Sequence, residues 1–237
     1  MQNSSEYTAL ENARFERKFV VENKSVQFVR QMIKVNPIGF RKVFRPRRIN
    51  NIYFDSPNLN NYFDNHFGRS ARTKVRIRWY GDTFGKIENP ILEFKIKRAL
   101  VGKKESYQLL PFELTSATSK QDFIALFQKS GLPEGVLNEV KRLVPTLLNS
   151  YKREYYKSFD GKYRFTVDNG LRFYGIKSKN NNFRQCSEEN NTIVVELKYD
   201  EQEADNVSMI TSRLPVRLNK YSKYARGIEV LHPHLAV

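Results

Sequence analysis

Several stretches of this sequence set charged side chains two residues apart with apolar ones between them. Lys74-Val75-Arg76-Ile77-Arg78-Trp79 carries three bases in alternation, and Leu92-Glu93-Phe94-Lys95-Ile96-Lys97 repeats the split. Arg14, Glu16 and Lys18 follow the same spacing, as do Arg164 and Asp168 around Phe165-Thr166-Val167, and Glu196 and Lys198 within Val195–Tyr199. Successive side chains of a β-strand point to opposite faces, so each stretch reads as a strand with one charged and one apolar face. Arg153 adds a base to a tyrosine-rich strand. The aligned faces collect ten bases (Arg14, Lys18, Lys74, Arg76, Arg78, Lys95, Lys97, Arg153, Arg164, Lys198) against four acids (Glu16, Glu93, Asp168, Glu196). Taken singly, each strand reads as an ordinary sheet with one face in water. Taken together, rows of like charge would repel across neighbouring strands. They make sense if the sheet curls and the rows converge on a polyanion, and the acids among them could then hold a divalent cation. Lys220-Tyr221-Ser222-Lys223-Tyr224-Ala225-Arg226 is a further basic cluster with tyrosines.

Composition narrows the partner. Lys and Arg number 41 against 25 Asp and Glu, a net charge of +16 over 237 residues, which points to nucleic acid, an anionic membrane or phosphate compounds. One cysteine, Cys186, excludes a disulfide framework and a multi-cysteine zinc site, and three histidines leave little for a histidine-rich metal centre. No apolar run reaches the length of a membrane helix. The first residues show no basic segment followed by an apolar one, so no secretory signal is read and a cytoplasmic location is the expectation.

The elements that must position these side chains follow from periodicity and punctuation. Strands are expected over residues 14–21, 49–54, 71–80, 91–100, 150–159, 162–168, 171–176 and 192–199, with Asp160-Gly161 and Asn169-Gly170 as hairpin turns. Helices are expected over 25–35, 59–67, 119–129 and 133–148, the last with Pro145 as a kink or early end, and over 203–214. Residues 102–105 read as a polar loop, 1–12 as a frayed terminus and 178–191 as a mobile loop. No linker or repeat divides the chain, so residues 1–237 read as one α+β domain with strands at both ends and helices between.

These residues carry a family resemblance. Arg14-Phe-Glu-Arg-Lys18, Tyr53-Phe-Asp-Ser-Pro57, Lys74-Val-Arg-Ile-Arg-Trp-Tyr80, Glu93-Phe-Lys-Ile-Lys97, Tyr151-Lys-Arg153, Arg164-Phe-Thr-Val-Asp168, Glu196-Leu-Lys198 and Lys220-Tyr-Ser-Lys223 occur in order over nearly the whole chain. The ordered set resembles the catalytic domain of the VTC-type polyphosphate polymerases, within the triphosphate tunnel metalloenzyme (CYTH-like) superfamily. The resemblance implies a closed antiparallel β-barrel tunnel of about eight strands with flanking helices, its interior being the charged face. It also implies Mn²⁺ or Mg²⁺ as cofactor. By motif position, Lys18, Arg76, Arg78, Lys95, Arg153, Arg164, Lys220 and Lys223 would be phosphate ligands, with Arg76, Arg78, Lys95, Arg153, Arg164 and Lys223 placed at the reacting phosphoryl. Lys74, Lys97 and Lys198 lie on the same rows, and Ser222 is a further contact. Glu196 would be the main metal ligand, with Glu16, Glu93 and Asp168 as helpers or as salt-bridge partners. Arg14 stands where the wider superfamily opens a Glu-x-Glu-x-Lys signature, which fits the VTC branch rather than the triphosphatase branch.

The implied activity is transfer of the γ-phosphoryl of ATP onto a phosphate or polyphosphate end, a reaction that asks for positioning and charge neutralisation more than covalent chemistry. That suits a chain with no convincing nucleophile–base pair. Cys186 reads as an incidental thiol, and His232 and His234 as part of the tail. A triphosphatase on the same site, a cyclase acting on ATP and a catalytically silent polyphosphate binder are the alternatives within the family. A nucleic-acid-binding module is the alternative outside it, and it is disfavoured because Phe15, Phe94 and Phe165 fall opposite the bases instead of among them. ATP or another triphosphate and inorganic polyphosphate are thus the expected partners, with no nucleic acid and no membrane segment.

Overall fold

The structure, a computed structural model, describes residues 14–98 and 101–235. The expected frayed terminus at 1–12 lies outside them. In chain order the elements are β1 (Arg14–Glu22), α1 (Val26–Lys34), β2 (Phe40–Asp55), α2 (Asn60–His66), β3 (Ala71–Tyr80), β4 (Gly85–Ile87), β5 (Ile91–Arg98), β6 (Val101–Gln108), β7 (Phe112–Leu114), α3 (Lys120–Lys129), α4 (Glu134–Arg142), β8 (Val144–Ser158), β9 (Arg164–Gly175), β10 (Cys186–Glu189), β11 (Thr192–Asp200), α5 (Val207–Thr211) and α6 (Lys223–Leu231). The fold is α+β and mostly antiparallel. Its main sheet has the order β1-β11-β9-β8-β2-β3-β5-β6, with β10 pairing β9, and β4 pairs β7 separately. The expected closure into a barrel is not seen: among the described residues the strand order is an open path from β1 to β6. No helix of the described residues is long and apolar enough to cross a membrane.

The chain forms two compact units. One takes the residues up to Arg47, Lys152–Gly170 and Glu189–Tyr221; the other takes Arg48–Tyr151, Leu171–Glu188 and the residues from Ser222 on. In the first unit, β1 and β11 pair in register from Arg14↔Asp200 to Glu22↔Thr192, which turns Phe19, Val21, Val195 and Leu197 into the core. Helix α1 begins where Ser25 Oγ accepts from the Phe28 amide at 3.1 Å, and it lays Val29, Met32 and Ile33 on that core. In the second unit, β3 alternates Val75, Ile77 and Trp79 inward against Phe94 of β5 and Phe123 and Phe127 of α3. Helix α3 opens with a capping box: the Ser119 hydroxyl accepts from the Asp122 amide while the Asp122 carboxylate accepts from the Ser119 amide.

Several expectations are corrected. The helix foreseen over 133–148 stops at Arg142: Leu143 is extended, Pro145 lacks an amide hydrogen and keeps Val144 out of helical geometry, and Val144 opens the 15-residue strand β8. Asn169-Gly170 is not a hairpin turn. Gly170 takes φ 59° and β9 runs through it as one strand, whereas the turn at Asp160-Gly161 forms as expected. Residues 102–105 are not a loop but the start of β6, paired with β5 from Arg98↔Val101 to Ile91↔Gln108. Strand β2 begins nine residues earlier than expected, because its first stretch is exposed on both faces and shows no period-2 pattern. Residues 186–189 of the expected loop form β10. The expected helix at 203–214 reduces to a 3-10 turn and the five-residue α5, and the last long helix is α6, in the stretch read only as a basic cluster.

Helix α6 lies close enough to its unit's core that a side chain at Gly227 would collide with Leu147 and Phe173. Gly227→Ala is expected to lower stability by about 1–3 kcal/mol despite the better helix propensity of alanine. Urea unfolding of the two proteins measures it.

Candidate functional site

The first unit gathers charge by strand register. In β1 and β11, Glu16 stands opposite Lys198 and Lys18 opposite Glu196; across β11 and β9, Glu196 faces Thr166 and Lys198 faces Arg164. Directly opposed residues share a face, so these side chains form one patch. Lys18 Nζ lies 2.9 Å from Glu16 and 3.9 Å from Glu196, and it donates to the Tyr221 carbonyl at 3.3 Å. Lys198 Nζ lies 3.3 Å from Glu196 and 3.7 Å from Glu16. Beside them Arg153 grips Asp168 with two parallel bonds of 2.5 and 2.6 Å, both residues being buried, and Arg153 Nη2 lies 3.8 Å from Glu196. Thr166, 8% exposed, has a hydroxyl with no hydrogen-bond partner among the described residues.

The second unit is more cationic. Lys74, Lys95 and Lys104 stand directly opposite one another across β3, β5 and β6, and Arg76 stands opposite Glu93. Glu93 is buried and holds the group together: Arg76 Nε and Nη2 reach its Oε2 at 2.8 and 2.7 Å, Arg78 Nη1 lies 3.6 Å from the same oxygen, and Lys104 Nζ lies 2.6 Å from Oε1. Burial works against the Glu93 charge, but Arg76, Arg78 and Lys104 outweigh it and hold the carboxyl at about 2. Burial likewise opposes the Arg76 charge, and Tyr53, Glu93 and Tyr151 more than compensate, raising it above the ordinary guanidinium value. Tyr53, opposite Arg76 in β2, accepts from Arg76 Nη1 at 3.4 Å and stacks on Tyr224 of α6. Tyr224 donates to Asp55, whose carboxylate also accepts the Ser56 amide and the Asn61 and Tyr62 amides in the first turn of α2. At the start of α6, Ser222 Oγ accepts from Lys74 Nζ at 2.8 Å, and Lys223 Nζ sits 4.8 Å from the centre of the Tyr151 ring.

The sequence-derived residues therefore fall into two groups. Lys18, Arg153, Arg164, Lys198, Glu16, Asp168 and Glu196 belong to the first unit; Lys74, Arg76, Arg78, Lys95, Lys97, Glu93, Ser222 and Lys223 belong to the second. Arg153, Lys223, Glu93, Asp168 and Glu196 are buried, whereas Lys95, Arg164 and Lys220 are exposed. Lys220 belongs to the first unit, and Arg14 has no described side chain. Lys104, Asn51, Asn149 and Thr166 were not anticipated. Lys104 lies in Gly102-Lys103-Lys104-Glu105, whose composition reads as a loop and which is a strand because it pairs with β5. Cys186 is exposed on β10, and desolvation together with Glu188 pushes its thiol up, away from an activated nucleophile.

Among the described residues no three His, Cys, Asp or Glu side chains stand together as a metal cluster. Asp168 and Glu93 are tied to bases at 2.5–2.8 Å, whereas the ion pairs of Glu196 span 3.3–3.9 Å. Glu196 and Glu16, which share Lys18 and Lys198 as ion-pair partners, are the two carboxylates of this patch that could face a hard cation bringing phosphate oxygens as its remaining ligands.

Residues 13–232 match the VTC domain family. The chain belongs to that family. No curated protein matches this VTC chain. Among solved structures its fold is similar to that of the PH1819 protein of Pyrococcus horikoshii OT3 (TM-score 0.51, 12% identity, 91% of this chain and 99% of that one). It is similar also to a Bacillus halodurans protein provisionally named an adenylate cyclase (TM-score 0.53, 14% identity, 91% and 97%). A third is a Hippeastrum protein provisionally named an adenylyl cyclase and described as having a dominant triphosphatase activity (TM-score 0.50, 15% identity, 91% and 96%). These likenesses extend over nearly the whole VTC domain and concern the fold.

Glu93 sets a pH dependence. Its ordinary value is 4.5 and its folded value about 2, so its charge stabilises the fold fully above 4.5 and that contribution is lost as pH falls toward 2. The wild type is expected to lose up to ~3 kcal/mol of stability across that window from this residue. Glu93→Gln removes that share of the slope and leaves the share of Glu154, which Arg30, Tyr156 and Lys42 also hold at about 2. Denaturant midpoints measured from pH 6 to pH 2 compare the two proteins.

Proposed function

We propose that this VTC domain is an ATP–polyphosphate phosphotransferase, moving the γ-phosphoryl of ATP onto a phosphate or polyphosphate end with Mg²⁺ or Mn²⁺. The observation that carries the reading is the opposition of Lys74, Lys95 and Lys104 across three strands, beside Arg76 and Arg78, in a VTC family member. Bases directly opposed across strands repel one another, a repulsion that Glu93 at Lys104 offsets in part, and a chain of phosphates supplies anionic oxygens at regular intervals to match such a row.

In this reading Arg76 and Arg78 orient phosphate oxygens through planar forks, while Lys74, Lys95 and Lys97 neutralise charge along the phosphate chain. Lys223, held over the Tyr151 ring, and Ser222, at the start of α6, act at the same end as Lys74. In the first unit Lys18, Lys198, Arg153 and Arg164 bind phosphate oxygens, and Glu196 with Glu16 would hold the cation. When bound, the cation supplies charge neutralisation across phosphate oxygens. Lys220 is a further phosphate contact. The residues move no proton by a dedicated base; they align attacker, phosphorus and leaving oxygen and offset the charge that spreads over the phosphoryl group.

The purified chain incubated with ATP and Mn²⁺ is expected to make long phosphate polymers, resolved by gel electrophoresis. Arg76→Ala and Glu196→Ala are each expected to abolish them. Release of orthophosphate alone would replace the polymerase reading with a triphosphatase on the same residues. Full activity in both variants would overturn the site assignment. Tripolyphosphate at a hundredfold excess over its Kd should add ~2.7 kcal/mol of stability, read as a rise in Tm.

A further inference from the structure

The second unit contains a hydrogen-bond chain whose direction is fixed from one end. Arg78 Nε donates to Asn51 Oδ1 at 3.1 Å, and Asn51 Nδ2 donates to Asn149 Oδ1 at 2.8 Å. A guanidinium has no acceptor, so the Asn51 amide must turn its oxygen to Arg78 and its nitrogen to Asn149. The Asn149 amide must then turn its oxygen to Asn51. Its own nitrogen is left pointing away from the chain, and among the described residues Asn149 Nδ2 has no hydrogen-bond partner although Asn149 is only 1% exposed. Exchanging oxygen for nitrogen at either amide would break a bond that Arg78 dictates.

The free donor lies on the cationic face. Asn51 stands opposite Arg78 and Tyr53 opposite Arg76 in the β2–β3 register, and Asn149 and Tyr151 are alternate residues of β8. Tyr53 meets Arg76 and Tyr151 meets Lys223, so the Asn149 amide shares its row with groups that already face the bases. A buried N–H without an acceptor is costly to leave unmade, and on a face crowded with cations the acceptor that belongs there is anionic.

We infer that Asn149 is an uncharged phosphate ligand: its Nδ2 donates to an oxygen of a bound triphosphate or polyphosphate, and Asn51 is a positioning residue that passes the orientation set by Arg78 to it. The inference rests on the proposed phosphate-binding role of this face and adds a recognition element that charge alone does not provide. A neutral donor is oriented for oxygen at one point, whereas the lysines act as mobile point charges. Arg78 thereby acts twice, on phosphate directly and on the amide two bonds away.

The test is binding of tripolyphosphate by calorimetry to the wild type, Asn149→Asp, Asn51→Asp and Arg76→Ala. Asn149→Asp keeps the shape and the acceptor for Asn51 but replaces the outward donor with an oxygen. Its affinity is expected to fall at least about tenfold while the ligand-free Tm stays within a few degrees. Asn51→Asp keeps the bond to Arg78 but removes the donor that orients Asn149, and a smaller loss, about threefold, is expected. In the wild type, the Asn149 side-chain amide signals in ¹⁵N NMR should shift on titration and saturate with the same Kd, a reading that does not depend on any variant folding. Unchanged affinity in Asn149→Asp, or amide signals unmoved at saturation, overturns the inference. Arg76→Ala separates the two levels: if it weakens binding while Asn149→Asp does not, only this inference fails. If neither variant changes binding, or the wild type does not bind, the phosphate-binding reading of the face fails with it.

Discussion

A lysine or arginine half withdrawn from water needs negative charge close by, and two of them on neighbouring strands need it more. Both units are organised by that requirement. The first meets it by alternation, with Glu16 directly opposite Lys198, Glu196 directly opposite Lys18, and the buried Arg153–Asp168 pair beside them. The second meets it with one carboxylate, Glu93, around which Arg76, Arg78 and Lys104 gather. Lys104, bound to Glu93, stands in one row with Lys95 and Lys74, so three bases line up beside a single carboxylate. The apolar half of each strand makes this arrangement tolerable: Val75, Ile77, Trp79 and Phe94 bury on the other face and fix the register that sets the charges opposite one another.

The carboxylates divide by how tightly they are held. Asp168 and Glu93 are locked to their bases by short charge-assisted bonds, so they shape guanidinium groups. Glu196 sits among three bases, Lys18, Arg153 and Lys198, at 3.3–3.9 Å. The tyrosines extend the scaffold: Tyr53 under Arg76, Tyr151 under Lys223 and Tyr224 bound to Asp55 join the sheet face to the start of α6.

What could be read in the sequence was what depends on neighbours two to four residues away. The alternation in residues 74–79 and 195–199 placed each base on the correct side of its strand, and Ser25 and Ser119 marked helix starts that formed as expected. What could not be read depended on partners far off in the chain. The basic stretch of β2 and the Gly-Lys-Lys-Glu stretch of β6 have the composition of loops and are strands because of what pairs with them. Pro145 marked an early end for the helix expected over 133–148, and what could not be read is that Val144 opens a long strand in place of a kinked helix. The sequence brought charged residues to notice as candidates because charge repeats are conspicuous. Asn51, Asn149 and Thr166 escaped because a neutral polar residue on a strand gains meaning only when its hydrogen-bond partners are counted.

Neither unit is a continuous piece of chain. The first pairs its opening strand with β11, so that Arg17 meets Tyr199 across 182 residues, and the second receives α6 against residues laid down near its beginning, with Tyr224 reaching Asp55 across 169. Such long-range closures are slow steps in folding. During synthesis β1 must wait without its partner until residues 182 positions further on have left the ribosome, and the segment bearing Lys223 arrives later still. A nascent chain therefore carries Lys18 on an unpaired strand edge long before the carboxylate of Glu196 exists beside it, and strand edges waiting in this way are where an unfinished chain is prone to pair wrongly.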